Sequence, residues 1–225
     1  MSALQGKVVV VTGAKGGLGT FVTEAFLAAG ARVIGVSRSI RPDDFAHPDF
    51  TALAAELGTG DAARKVVDAV TLRFGRIDVL AHLMGGFSGG QSVAETDDAA
   101  FEKMLDLNYR AAFYIARAVL PQMRAQGAGR ILAVASRQAV EPAAMVGAYS
   151  ASKAALLSLI RTIALENKDR CISANAVLPG TMDTPSNPGP QFVKPAQVAA
   201  MLTHLASDAA AQVTGAAIPI YGGQV

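Results

Sequence analysis

The chain has 225 residues, of which 51% are apolar and 17% charged, a balance that excludes general disorder and gives enough material for a sizeable core. Its 20 basic and 18 acidic side chains leave a net charge of +2 and form no basic stripe, which argues against a nucleic-acid partner. The lone Cys171 and the absence of an 18-residue apolar run point to a reducing compartment and no membrane span, so a cytoplasmic address is expected. His47, His82 and His204 stand far apart with no second ligand at metal spacing, so no metal is expected.

In chain order, Val8 to Val11 is a continuous apolar run of the kind buried on both faces of a sheet. A glycine-rich turn follows, then Leu18 to Ala29 at helical spacing with Gly30 as its stop. Strands are predicted at Arg32 to Val36, Thr51 to Leu57, Ile77 to Leu83, Arg130 to Ser136, Ile172 to Leu178 and Ala216 to Tyr221. Between them, helices are predicted from a cap at Asp61 to about Phe74, from Asp98 to about Gln126 with a break near Asn108, from Tyr149 to Asn167, and from Pro195 to Ser207. Residues 39–50 carry two prolines and no helical period, so that crossover is expected to lack a full helix. The alternation gives an α/β fold with a doubly wound, seven-stranded parallel sheet between two helical layers, read as one domain over residues 1–225.

Thr12 to Gly19 reads TGAKGGLG between the first strand and helix. Gly13, Gly16, Gly17 and Gly19 would let the backbone close on a pyrophosphate at the positive end of the helix, with Lys15 and Leu18 in the same loop. A tight turn with no ligand is the bland alternative. At the end of the second strand Ser37 and Arg38 stand where an NAD site wants a carboxylate, and a guanidinium beside a small residue suits a 2′-phosphate, so NADP is expected rather than NAD. Lys15 would add a second positive charge there, or be a solvated surface lysine.

Tyr149 and Lys153 lie four apart on one helical face, and chance would supply only about 0.12 such pairs in a chain with these tyrosines and lysines. Ser136 ends the strand before that helix, at the sheet edge that carries the glycine loop. Together TGAKGGLG, Asn108, Ser136, Tyr149-x3-Lys153, Pro179-Gly180-x3-Thr184 and the closing TGAAIPIYGG resemble the short-chain dehydrogenase/reductase family, in order and spacing across nearly the whole chain. The resemblance implies a Rossmann fold, a nicotinamide cofactor, hydride transfer to or from a small-molecule carbonyl or alcohol, and a homo-oligomer, dimer or homotetramer, paired through helices matching 109–126 and 149–167.

It further implies a catalytic set of Asn108, Ser136, Tyr149 and Lys153, with Asn108 matching the asparagine that holds a water on the proton path. The cofactor would also meet Glu56, Leu57, Leu83, Gly85, Pro179, Gly180, Met182 and Thr184. On chemical grounds a free phenol, at a pKa of ~10, gives up its proton poorly, and a nearby Lys153 ammonium would lower that value while Ser136 donates to the developing alkoxide.

Two stretches depart from the family pattern. His82-Leu83-Met84-Gly85 stands where the family pattern has Asn-Asn-Ala-Gly; the backbone contact needs only the main chain and Gly85, the asparagine bracing of the sheet is not carried over, and His82 reads as buried structure. Gly85 to Gly90, with Phe87 at its centre, resembles a stretch of dihydropteridine reductases, which makes a dihydropterin- or quinone-reducing enzyme the alternative substrate class; Phe87 would stack on a flat substrate or simply cover the core. The short, proline-rich 180–195 region implies an open pocket. A non-catalytic NADP-binding sensor or scaffold is the alternative of another kind.

Overall fold

The computed structural model describes residues 2–185 and 187–223. Its centre is a parallel sheet of β1 (Val8–Thr12), β2 (Arg32–Ser37), β3 (Phe50–Ala54), β4 (Val79–His82), β5 (Gly129–Val134), β6 (Ile172–Pro179) and β7 (Ala217–Ile220). The spatial order is β3-β2-β1-β4-β5-β6-β7, so the winding reverses between β1 and β4 and opens a crevice at their carboxyl ends.

The side-chain alternation of β1 shows why both faces must be covered. Val8 and Val10 belong to one core with Ile115, Leu156 and Ile160, whereas Val9 and Val11 belong to another with Val22, Phe26 and Leu202. The first core is roofed by α2 (Gly60–Phe74), α4 (Ala111–Gln126) and α5 (Gly147–Asn167), the second by α1 (Gly19–Ala28) and α6 (Pro195–Ala206). The remaining helix, α3 (Asp98–Leu105), runs into α4 through a π-helical turn at Asp106–Arg110.

Several boundaries differ from the sequence reading. β3 ends at Ala54, where its pairing with Ser37 stops, so Glu56 and Leu57 lie beyond the strand and only Leu57 is buried. β4, Val79–His82, is shorter than Ile77 to Leu83, although the Asp78 and Leu83 amides still donate to Val8 and Thr12 of β1; the Asp78 carboxylate also accepts the Val8 amide at 2.8 Å. The cap of α2 is Thr59, whose hydroxyl accepts from the Ala62 amide, and Asp61 lies inside the first turn, where its charge suits the helix dipole. Near Asn108 the helix widens by one residue per turn rather than breaking. The 39–50 crossover carries only a single 3-10 turn at Pro42–Asp44, consistent with its prolines. No helix among the described residues is long and apolar enough to cross a membrane, and none of their His, Cys, Asp and Glu side chains gather in a group of three or more that could hold a metal ion.

Candidate active site

The carboxyl ends of the strands border one cleft with two lobes, about 450 Å³ and 360 Å³, continuous through Gly13, Gly16, Leu83 and Gly85. The larger lobe is lined by Lys15, Ser37, Arg38, Glu56 and Leu57, the smaller by Gly17, Leu18, Gly19, Ser136, Tyr149, Lys153, Pro179, Gly180, Met182 and Thr184. Every site residue expected from the sequence therefore borders the cleft except Asn108, which is fully buried behind it.

The backbone is shaped to let a ligand approach. Gly13 has φ +71°, and a Cβ there would come within 2.9 Å of the Met84 amide nitrogen. No side chain caps the N-terminus of α1, which leaves the positive end of that helix open toward the lobe lined by Gly17 to Gly19. At Gly85 a Cβ would stand 2.7 Å from Asn108 Oδ1 and 3.2 Å from Lys153 Nζ, so the main chain there runs against the polar floor of the site. A dinucleotide fits these features: an amide-rich turn for the pyrophosphate and a wide lobe ending in hydroxyls and cations.

Those cations are already engaged. Lys15 Nζ donates to Asp44 Oδ1 at 2.9 Å and to the Ser39 carbonyl at 3.2 Å, and Arg38 pairs with Glu56 at 3.8 Å. The Lys15 amide donates to Ser37 Oγ at 3.3 Å, tying the glycine loop to the end of β2. Lys15 holds the Asp44 carboxyl below its ordinary range.

At the other lobe, Tyr149, Ser136 and Lys153 line the same wall. Burial raises the Tyr149 phenol above its usual value, and the group acting in the opposite direction is the Ser136 hydroxyl rather than Lys153, as had been expected. Lys153 Nζ is 6.0 Å from the centre of the Tyr149 ring and donates to the Val134 carbonyl at 2.9 Å. Burial lowers its ammonium to about 8. Ser136 Oγ also donates to Gln138 Oε1 and accepts from the Gln138 amide at 3.3 Å.

Asn108 acts as a buried clamp. Its Oδ1 accepts from the Gly86 amide at 2.9 Å, while Nδ2 donates to the Gly86 carbonyl and to Ser152 Oγ, both at 3.0 Å. Ser152 Oγ in turn donates to the Tyr149 carbonyl at 2.7 Å, so Asn108 joins the loop after β4 to the start of α5. His82, the last residue of β4, ties that strand to β1: its Nδ1 lies 2.9 Å from Thr12 Oγ1, which also accepts from the Met84 amide at 3.3 Å. Burial, with Lys153 adding, lowers His82 to about 3, so the ring is neutral.

Sequence reasoning missed Met84 and Leu107 in the larger lobe and Gly86, Val134 and Ala135 in the smaller. It also missed Gln138 and Asp44, which engage Ser136 and Lys15. Leu107, beside Asn108 in the π turn, was signalled by the expected irregularity there; Gln138 and Asp44 carry no local signature.

The family profile described as short chain dehydrogenase matches residues 7–189. A short-chain dehydrogenase/reductase of Talaromyces verruculosus, cdmF, is 32% identical over 98% of this chain and 97% of its own. The asnovolin H dehydrogenase nvfC of Aspergillus novofumigatus is 35% identical over 81% of this chain and 72% of its own. The crystal structure of a 3-ketoacyl-(acyl-carrier-protein) reductase from Brucella melitensis, complexed with NADH, superposes with a TM-score of 0.91 at 25% identity over 98% of both chains. With its seven-stranded sheet and this cleft, the chain belongs to the short-chain dehydrogenase/reductase family, oxidoreductases that use nicotinamide cofactors and act on small molecules.

Proposed function

We propose that this protein is an NADP-dependent carbonyl reductase in which Tyr149 is the general acid. The observation that carries the proposal is the meeting of Tyr149 and Ser136 with the buried Lys153 amine in the lobe that the glycine loop also lines. When bound, the dinucleotide supplies the hydride. A phenol held above its usual pKa is protonated at neutral pH, as a proton donor to a substrate oxygen must be. Ser136 turns its hydroxyl from Gln138 to the substrate oxygen and stabilises the charge that develops there, and the Lys153 ammonium favours the tyrosinate left behind. Asn108 holds Gly86 and the start of α5 in place and is a positioning residue.

The dinucleotide would be held by Gly13, Gly16, Gly17, Leu18 and Gly19 at the pyrophosphate, by Lys15, Ser37 and Arg38 at the adenosine ribose, by Glu56 and Leu57 at the adenine, and by Leu83, Gly85, Pro179, Gly180, Met182 and Thr184 along its length. NADP is favoured because β2 ends in Ser37, followed by Arg38, with no carboxylate at either position, and a 2′-phosphate would take Lys15 and Arg38 over from Asp44 and Glu56. The exposed Phe113 of α4 and Leu165 of α5 support a homo-oligomer joined through those helices, and the lone cysteine supports a cytoplasmic address.

The test is consumption of NADPH or NADH in the presence of a ketone panel. NADPH is expected to be oxidised with a kcat/KM at least about tenfold above that with NADH. No oxidation of either would refute the reductase, and equal use of both would refute the cofactor choice.

A further inference from the structure

Two loop segments meet beside Tyr149, and neither carries a charged side chain. Residues 85–94 contain no titratable side chain, and residues 142–152 contain none but Tyr149 itself. Of the nine large hydrophobic side chains exposed among the described residues, three stand on this lip: Phe87 at 70%, Val93 at 82% and Met145 at 45%. Single exposed hydrophobics need no explanation, but a contiguous group at the mouth of a site does.

The lip is built rather than incidental. The Gly90 amide donates to the Met145 carbonyl at 2.8 Å, which stitches the loop after β4 to the loop after β5. Met145 adopts φ +66°, a conformation disfavoured for a side chain of its size, and Gly90 has φ +94°. A Cβ on Gly89 would come within 2.8 Å of Val146 Cγ1 and 3.0 Å of the Phe87 ring tip, and one on Gly147 within 2.9 Å of Val93 Cγ2. Glycine at both positions lets the two loops close on each other and brings Phe87 to the cleft. Its ring meets the Tyr149 ring edge to face, at 5.0 Å between centres and 72° between planes, and lines the same lobe as Ser136 and Lys153.

We infer that this lip is the wall that selects the substrate, and that the substrate is an uncharged ketone or alcohol carried on a ring system, its ring packed against Phe87 while its oxygen faces Tyr149. The inference rests on the reading of Tyr149 as the group that meets the substrate oxygen. A molecule whose oxygen reaches the Tyr149 hydroxyl has its remaining bulk beside Phe87, because that ring is in direct contact with the phenol. An apolar ring gains there by burying Phe87, which lines the lobe, with Val93 and Met145 on the lip beside it, whereas a charged group would lose hydration against segments that hold no counter-ion.

The probe is 2-acetonaphthone, titrated calorimetrically onto the wild-type protein and onto Phe87→Ala and Met145→Ser in the presence of NADP. A carboxylate-bearing analogue of the same ring is titrated in parallel. The wild type should bind the neutral ketone, Phe87→Ala should weaken binding by about tenfold, and the carboxylate should bind at least about tenfold more weakly than the neutral compound. Absence of binding to the wild type, equal affinity in Phe87→Ala, or equal affinity for the charged analogue would each overturn the inference. Turnover of the ketone with NADPH is read separately. Binding that depends on Phe87 without turnover leaves this inference standing and removes the reductase reading, while turnover indifferent to Phe87 does the reverse.

Discussion

Replacing Asn108 by alanine tests whether this side chain is a structural clamp. Besides a long, weak contact from Nδ2 to Met104 Sδ at 3.8 Å, it makes three hydrogen bonds to oxygen and nitrogen partners, one accepted from the Gly86 amide and two donated, to the Gly86 carbonyl and to Ser152 Oγ. Each is worth ~1 kcal/mol net, so their removal costs ~3 kcal/mol. Water entering from the cleft can serve Gly86, and Ser152 Oγ retains its bond to the Tyr149 carbonyl, which brings the loss to ~2–3 kcal/mol. For a chain of this length that corresponds to a fall in Tm of ~4–12 °C. Thermal and urea unfolding measure it. Asn108→Asp should lose at least as much despite its shape, because its second oxygen would face the Gly86 carbonyl oxygen at the 3.0 Å where a donor now sits. A loss below ~0.5 kcal/mol in both variants would refute the clamp, as such values mark surface substitutions.

Other consequences concern charge. His82 titrates at about 3 when folded and near 6.5 when unfolded, so between those values the unfolded chain binds more protons and wild-type stability should fall as pH is lowered through that window. His82→Asn should flatten that part of the urea-midpoint profile, and an unchanged slope would contradict the burial of a neutral ring. Lys153, at about 8 against 10.5, has the same sign in a higher window: stability should rise as pH is raised from about 8 to 10.5, and Lys153→Met should lose that slope. Asp44→Asn releases Lys15 and should tighten NADPH binding by roughly threefold while leaving NADH nearly as it was; equal gains for both nucleotides would place Lys15 away from the 2′-phosphate.

The parts of this fold carried by local repetition were readable. Val8 to Val11 announces a strand covered on both sides, and TGAKGGLG announces the turn that follows, because each depends on residues adjacent in the chain. The same holds for Tyr149 and Lys153, one turn apart on α5. What escaped depends on partners distant in sequence. Thr59 and Asp61 are both competent caps, and only the entry angle of the chain decides between them. The Asp44 carboxylate reaches Lys15 across 29 residues, and Phe87 meets Tyr149 across a gap twice as long, neither with a periodic signal. The expectation that Lys153 would govern the phenol came from chemistry without distances; with the ring centre 6.0 Å from Nζ, burial dominates and raises the phenol, opposed only by the Ser136 hydroxyl.

The most direct measurement removes one oxygen atom. Tyr149→Phe retains the ring that packs against Phe87 and the surrounding lobe but has no proton to give. NADPH binding followed by fluorescence titration should match the wild type within about twofold, while turnover of any ketone the wild type reduces should fall by at least about a hundredfold, the lower end of what a positioned acid contributes. Retention of wild-type turnover in Tyr149→Phe would contradict the central claim that this phenol delivers the proton.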